Sequence, residues 1–252
     1  MSGSLDGRIA IITGGAGEIG RASALEMARD GANIVIAQRP ESVGKANKLA
    51  EEIENLGRKA LVLPVDVTTA EGASQMAKKT LDTFGKIDIL ANIAGVTISS
   101  PFVELTEEIW QKTIDVNLKS VFLCCRAVVP HMIEKRYGRI ITTSSGSGKV
   151  GSVGLVHYSA SKGGVQSFTK ALARELAPHK YITVNCVAPG PINTQMLQDA
   201  GPEVRDKIVS TVVLGRPGEV EEVAYVFAFL ASDKATFITG QIYSVDGGRT
   251  MQ

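Results

Sequence analysis

Short, almost uniformly apolar runs alternate with longer segments of helical period along all 252 residues, and that alternation leaves few architectures open. Residues 8–13, 33–38, 60–64, 87–91, 139–143, 183–187 and 241–245 read as strands. Runs that are apolar on both faces suit parallel strands covered on both sides. Residues 19–30, 42–56, 70–84, 107–135, 158–176 and 220–230 read as helices; in the last, Val220, Val223, Ala224 and Phe227 form one apolar stripe. Gly31, Gly57 and Gly85 follow three of these helices, where a left-handed cap costs glycine least. Right-handed crossovers then predict an α/β single-domain, doubly wound parallel sheet, Rossmann-like, with helices on both faces. Such sheets bind ligands beyond the carboxyl ends of their strands, which is where chemistry is sought.

Composition removes several classes. Hydrophobic residues at 44% and charged residues at 21% describe a globular chain with a large core, not a disordered one. Lys and Arg number 27 against 26 Asp and Glu, with no basic block, so nucleic acid is not an expected partner. Cys124, Cys125 and Cys186 form no paired motif and fit a reducing compartment, the cytoplasm. The N-terminus lacks signal-peptide design, and residues 182–198, the longest uncharged stretch, are broken by Asn185, Pro189, Gly190, Pro191 and Asn193, so no membrane span is expected. His131, His157 and His179 show no metal-ligand spacing, and no metal is expected.

The first strand runs straight into Gly14-Gly15-Ala16-Gly17-Glu18-Ile19-Gly20, a turn that opens a helix. Gly15, Gly17 and Gly20 satisfy G-x-G-x-x-G, and a helix N-terminus offers unpaired N–H groups to a pyrophosphate. Arg21 and Ala22 stand where a phosphate-loop NTPase needs Lys and Ser or Thr. At the end of the second strand, an acidic residue would hold a ribose 2′-hydroxyl, but Gln38 and Arg39 occupy those positions. A guanidinium suits a 2′-phosphate, which favours NADP(H) without excluding NAD(H).

Tyr158 and Lys162 lie one turn apart on the same side of a predicted helix. A phenol titrates near 10 and exchanges protons poorly at neutral pH unless a neighbouring cation favours the phenolate. Ser145 follows the strand ending at Thr143, at the same end of the sheet, and Asn117 sits inside a helical segment where asparagine needs a reason. No G-x-S-x-G elbow surrounds Ser145, which argues against a serine hydrolase.

Taken together these residues resemble the short-chain dehydrogenase/reductase family over nearly the whole chain. Thr13-Gly14 with Gly20 is similar to its T-G-x-x-x-G-x-G turn, Asn92-Ile93-Ala94-Gly95 to its N-N-A-G strand end, and Tyr158 with Lys162 to its Y-x-x-x-K pair. Ser145 and Asn117 stand at the family's serine and asparagine positions, and Pro189, Gly190, Ile192 and Thr194 resemble the stretch closing over the nicotinamide. The resemblance implies hydride transfer between nicotinamide and a small-molecule carbonyl or secondary alcohol. Tyr158 would exchange the proton, Ser145 would polarise the substrate oxygen, Lys162 would lower the tyrosine pKa and hold the nicotinamide ribose, and Asn117 would anchor a water. Gly14, Gly15, Gly17, Ile19, Gly20, Arg39, Asp66, Val67, Asn92, Ala94 and Gly95 would contribute to the cofactor site, with Asp66 and Val67 flanking the adenine. A homotetramer is implied as well.

Two positions depart from the pattern. Glu18 replaces the middle glycine beside the expected pyrophosphate, so its carboxylate must turn away or weaken binding, with Gly17 supplying backbone freedom. Ile93 replaces the second asparagine. The tail, with Gly215-Arg216, Ile238-Thr239-Gly240 and Asp246-Gly247-Gly248, is similar to 3-oxoacyl-carrier-protein reductases, and Arg136 and Arg139 are candidates to meet an acidic carrier. An NAD-dependent sugar or polyol dehydrogenase is an alternative substrate reading, and a non-catalytic dinucleotide-binding regulator an alternative class. Residues 191–214 are expected to form a substrate lid.

Overall fold

A computed structural model describes residues 3–251. Strands β1 (Ile9–Thr13), β2 (Asn33–Gln38), β3 (Ala60–Pro64), β4 (Ile89–Asn92), β5 (Gly138–Thr143), β6 (Ile182–Pro189) and β7 (Ile242–Val245) form one sheet ordered β3-β2-β1-β4-β5-β6-β7. Every pairing is parallel. The chain winds outward from β1 through β2 to β3, then returns to the other side of β1 with β4. The carboxyl ends of β1 and β4 therefore bound the crevice at which the winding direction reverses.

Along β1, Ala10 and Ile12 enter one core while Ile9 and Ile11 enter the other; in β2, Ile34 and Ile36 oppose Val35 and Ala37 in the same way. This is why the runs carry no polar alternation. Helices α1 (Glu18–Arg29), α2 (Val43–Asn55) and α10 (Val220–Ala231) cover the first core. Helices α3 (Ala70–Phe84), α5 (Ser120–Lys135) and α7 (Val156–Glu175) cover the second. Ile36, Met76 and Phe227 are fully buried, each stabilising by about 1.5–3 kcal/mol relative to exposure. Gly85 caps α3 in the left-handed conformation at φ 73°, as its position predicts.

The expected helix over residues 107–135 is interrupted. It divides into α4 (Glu107–Ile114), a π-helical turn (Asp115–Lys119) and α5. By length and apolarity the whole run could cross a membrane, yet Val121, Cys124, Cys125, Val128 and Met132 bury into the second core. After β6, residues 191–214 carry α8 (Gln195–Gln198) and α9 (Pro202–Val209), while the short α6 (Ser147–Val150) follows β5.

Candidate active site

The register sets the site. Thr13 of β1 pairs with Asn92 of β4, and Asn92 pairs with Thr142 of β5, so the three strand ends stand abreast. Beyond Thr13 the chain turns through Gly14 at φ 66°, where a Cβ would come within 2.8 Å of the Ala94 backbone. Only glycine meets both demands. Thr13 Oγ1 accepts the N–H groups of Ile93 and Ala94 at 3.1 and 3.2 Å, binding the glycine turn to the β4 end. At Gly20 a Cβ would collide with the Gly14 carbonyl, so α1 packs directly on the turn.

No side chain caps α1, in contrast to α3, α4 and α10. The N–H groups of Glu18, Ile19 and Gly20 belong to its first turn and have no carbonyl one turn back to bond, so they and the helix dipole are available to an anion. Gln38 Oε1 accepts the Ala16 N–H at 3.2 Å, so this strand-end residue braces the turn. Gly17 lies at φ −76°, ψ 164°, ordinary extended backbone; the expected freedom beside Glu18 resides at Gly14 instead. Glu18 turns its carboxylate away from the turn, and Oε2 accepts the N–H of Gln195 at 2.9 Å. Ile93 packs its side chain against the first core.

On the β5 side, Ser145 Oγ accepts the Ser147 N–H at 3.2 Å, leaving its own proton to donate. Lys162 is 3% exposed and its Nζ donates to the Thr143 carbonyl at 2.9 Å, 5.7 Å from the centre of the half-buried Tyr158 ring. Ser144, unremarked in the sequence, fixes this helix: its hydroxyl donates to the Lys162 carbonyl at 2.8 Å and accepts from Gln166 Nε2 at 2.9 Å. Asn117 sits in the π turn, fully buried. Its Oδ1 accepts the Val96 N–H at 2.8 Å, and Nδ2 donates to the Val96 carbonyl at 3.0 Å and to Ser161 Oγ at 3.1 Å. A Cβ on Gly95 would meet Asn117 Oδ1 at 3.3 Å and Lys162 Nζ at 3.4 Å, so the β4 end, the π turn and α7 converge on one point.

The remaining predicted residues line the same edge. Asn92 is buried, with Nδ2 donating to Cys125 Sγ at 3.6 Å. Asp66 Oδ1 accepts from the Thr68 N–H and hydroxyl at 2.9 and 2.7 Å, and Val67 is buried beside it. Pro189 ends β6, and Gly190 donates its N–H to the Val245 carbonyl at 2.9 Å where a Cβ would strike Asp246. Ile192 and Thr194 are buried, and Thr194 Oγ1 donates to the Ile192 carbonyl. Arg39 is exposed past β2, its Nε 3.1 Å from Glu41 Oε1.

Arg139 corrects an expectation. It stands at the amino end of β5, on the edge of the sheet opposite the glycine turn, and is 3% exposed. Its guanidinium donates to the Gly138 and Tyr181 carbonyls and to Asp233. Arg136 stacks over Tyr181 at the same edge. Burial withdraws Arg139 from a carrier's reach, while Arg136 keeps an exposed side chain.

An uncapped helix N-terminus behind a glycine cradle, at the carboxyl ends of a doubly wound parallel sheet, points to a class: an oxidoreductase that binds NAD(P) on a Rossmann-like sheet. Comparison with known proteins agrees. A family profile described as enoyl-(acyl carrier protein) reductase matches residues 14–250. The chain is 40% identical over 246 residues to the 3-oxoacyl-[acyl-carrier-protein] reductase FabG of Thermotoga maritima, covering 97% of this chain and 98% of the relative. It is 41% identical over 249 residues to the 3-oxoacyl-[acyl-carrier-protein] reductase of Synechocystis sp., covering 98% and 99%. The solved structure titled "Crystal structure of gox2181" matches with a TM-score of 0.93 at 36% identity, covering 97% of this chain and 96% of that one. The chain belongs to the short-chain dehydrogenase/reductase family.

Proposed function

We propose that this chain reduces the ketone of a 3-oxoacyl thioester carried on acyl carrier protein to a secondary alcohol, using NADPH. The observation that supports the reductase reading is Lys162 Nζ, 5.7 Å from the centre of the Tyr158 ring and in reach of Gly95, with Ser145 just past the end of β5. The thioester comes from the names of the relatives.

When bound, a nicotinamide dinucleotide would supply the hydride. Residues of the glycine turn and of α1's first turn would hold its pyrophosphate, Asp66 and Val67 would flank the adenine, and Asn92, Ala94 and Gly95 would form the floor. Pro189, Gly190, Ile192 and Thr194 would border the nicotinamide half, with Tyr158 and Lys162 at its ribose. Tyr158 donates its phenolic proton to the carbonyl oxygen as that oxygen gains charge, and Ser145 donates a hydrogen bond to the same oxygen. Lys162 stabilises the phenolate left behind, and Asn117 holds the Gly95–Val96 backbone around the proton path. Arg39 would take the 2′-phosphate in exchange for Glu41, which would give an NADP(H) preference. Residues 191–214 close over the substrate as a lid.

The same reading assigns a cytoplasmic homotetramer. Exposed Phe102, Val103 and Phe122 on the α4–α5 side, and Tyr225, Phe229 and Phe237 near α10, supply apolar surface for subunit contacts. The substrate assignment is tested by following NADPH consumption with acetoacetyl-carrier protein, a crotonyl thioester and a panel of sugars. Turnover of the 3-oxo thioester alone is the expected result; turnover of the enoyl thioester or a sugar would replace that substrate.

A further inference from the structure

Residues 191–214 form a strap tied at both ends. At the start, Gly218 donates its N–H to the Pro191 carbonyl, Asn193 donates its N–H to the Gly218 carbonyl, and Asn193 Nδ2 donates to Glu219. At the finish, Leu214 donates its N–H to the Gly247 carbonyl and Arg249 Nε donates to Thr211 Oγ1. Between these ties, residues 195–210 are exposed or half-buried throughout. Their hydrogen bonds and ion pairs run almost entirely within the strap: Asp199 to Gln195, Arg205 to Gly201 and Asp206, Ser210 to Asp206 and Lys207. Among the described residues, one hydrogen bond joins residues 195–210 to anything outside the strap, from the Gln195 N–H to Glu18 Oε2 at 2.9 Å. It links the first residue of α8 to the first residue of α1, across 177 positions of sequence.

We propose that Glu18 is a positioning residue that latches the strap, holding residues 195–210 in register over the crevice. A glycine at this position, as the family pattern has it, has no acceptor to offer. The latch explains how a carboxylate is tolerated beside a pyrophosphate site: its charge is directed to an N–H of the strap. That carboxylate also remains an anion on the first residue of α1, so it opposes cofactor charge at long range while it orders the strap. The two effects separate by substitution. Removing the acceptor loosens the strap; removing only the charge tightens cofactor binding. The consequence for turnover rests on the reductase reading above, whereas the latch itself is read in the free protein.

Two variants cut the bond from opposite sides. Glu18→Gly removes the acceptor. Gln195→Pro removes the donor at a helix's first position, where proline is tolerated, and Thr194 before it is already extended at φ −138°, ψ 162°, as a residue preceding proline requires. Glu18→Gln keeps an acceptor and loses the charge, and Gln195→Ala controls for loss of the Gln195 side chain. In the ligand-free protein, limited trypsin cleavage at the exposed Arg205 and Lys207 is expected to accelerate about three- to tenfold in Glu18→Gly and Gln195→Pro, the span expected for one hydrogen bond, with Glu18→Gln and Gln195→Ala near wild type. NADPH titration is expected to give tighter binding in Glu18→Gln and Glu18→Gly but not in Gln195→Pro. The KM for the ketone is expected to rise in Glu18→Gly and Gln195→Pro while kcat changes little. Cleavage rates in both cutting variants equal to wild type, with thermal midpoints showing the variants folded, overturn the latch. Altered cleavage in a protein that lacks reductase activity leaves the latch standing and removes the catalytic reading instead.

Discussion

The Lys162 ammonium lies 5.7 Å from the centre of the Tyr158 ring while it donates to the Thr143 carbonyl at 2.9 Å. Lys162 is buried and Tyr158 half-buried, so the cation is fixed from behind by the end of β5 while the ring beside it keeps access to solvent. A carbonyl dipole, not a carboxylate, is the lysine's partner, so its charge is left uncompensated toward the phenol. Burying a charge in this way costs stability, a cost that the proposed proton transfer from Tyr158 would account for.

Lys162→Met tests that trade. Its stem matches the space and carries no charge, so thermal stability is expected to equal or exceed wild type. The value of kcat is expected to fall about 100-fold or more, the usual scale for loss of acid–base assistance. Thermal unfolding and NADPH consumption on the same preparation check both halves.

The proposed NADPH preference rests on Arg39, whose Nε lies 3.1 Å from Glu41 Oε1. Arg39→Ala is expected to lower kcat/KM with NADPH about 10- to 100-fold, the span of one or two charge-assisted hydrogen bonds, and to leave NADH nearly unchanged. Glu41→Ala is expected to improve NADPH use by freeing the fork. A wild-type preference for NADH would contradict the role given to Arg39.

The buried thiols predict an alkaline limit. Burial pushes Cys125 up to about 12 and raises Cys124 and Cys186 in the same direction. Burial also raises Tyr137 to about 12, against the pull of Arg139 and Arg8. The folded chain keeps these protons after unfolded thiols, which titrate near 8.5, have released theirs. The folded state then binds more protons, so this contribution is complete below about pH 8.5 and declines as pH rises toward the folded values. Urea midpoints at about pH 7, 9 and 10 should fall in that order, and a thiol reagent should reach the three cysteines only after unfolding.

Legibility in the sequence followed the range of each interaction. Strand positions were readable because each strand feeds two cores and is apolar throughout; only the ends moved, as where β6 extends to Pro189. The split of residues 107–135 was hidden, since a π turn changes the period by a single residue and leaves the apolar pattern intact. Asn117 did stand out by poor helix propensity, and the π turn with its bonds to Val96 and Ser161 is the reason for it. Ser144 carried no signal, and Gln38 was legible only as the absence of an acid, because their partners, Lys162 and Ala16, are brought near only by the sheet. Arg139 is withdrawn by burial against the Gly138 and Tyr181 carbonyls and Asp233, partners that only the folded sheet brings to it.

Tyr158→Phe is the most direct measurement. The variant loses one oxygen and keeps the ring over Lys162, so NADPH should bind within about threefold of wild type while kcat falls by at least about 100-fold, the scale of acid–base catalysis. Undiminished turnover in the purified variant, with cofactor binding intact, would contradict the assignment of Tyr158 as the proton donor.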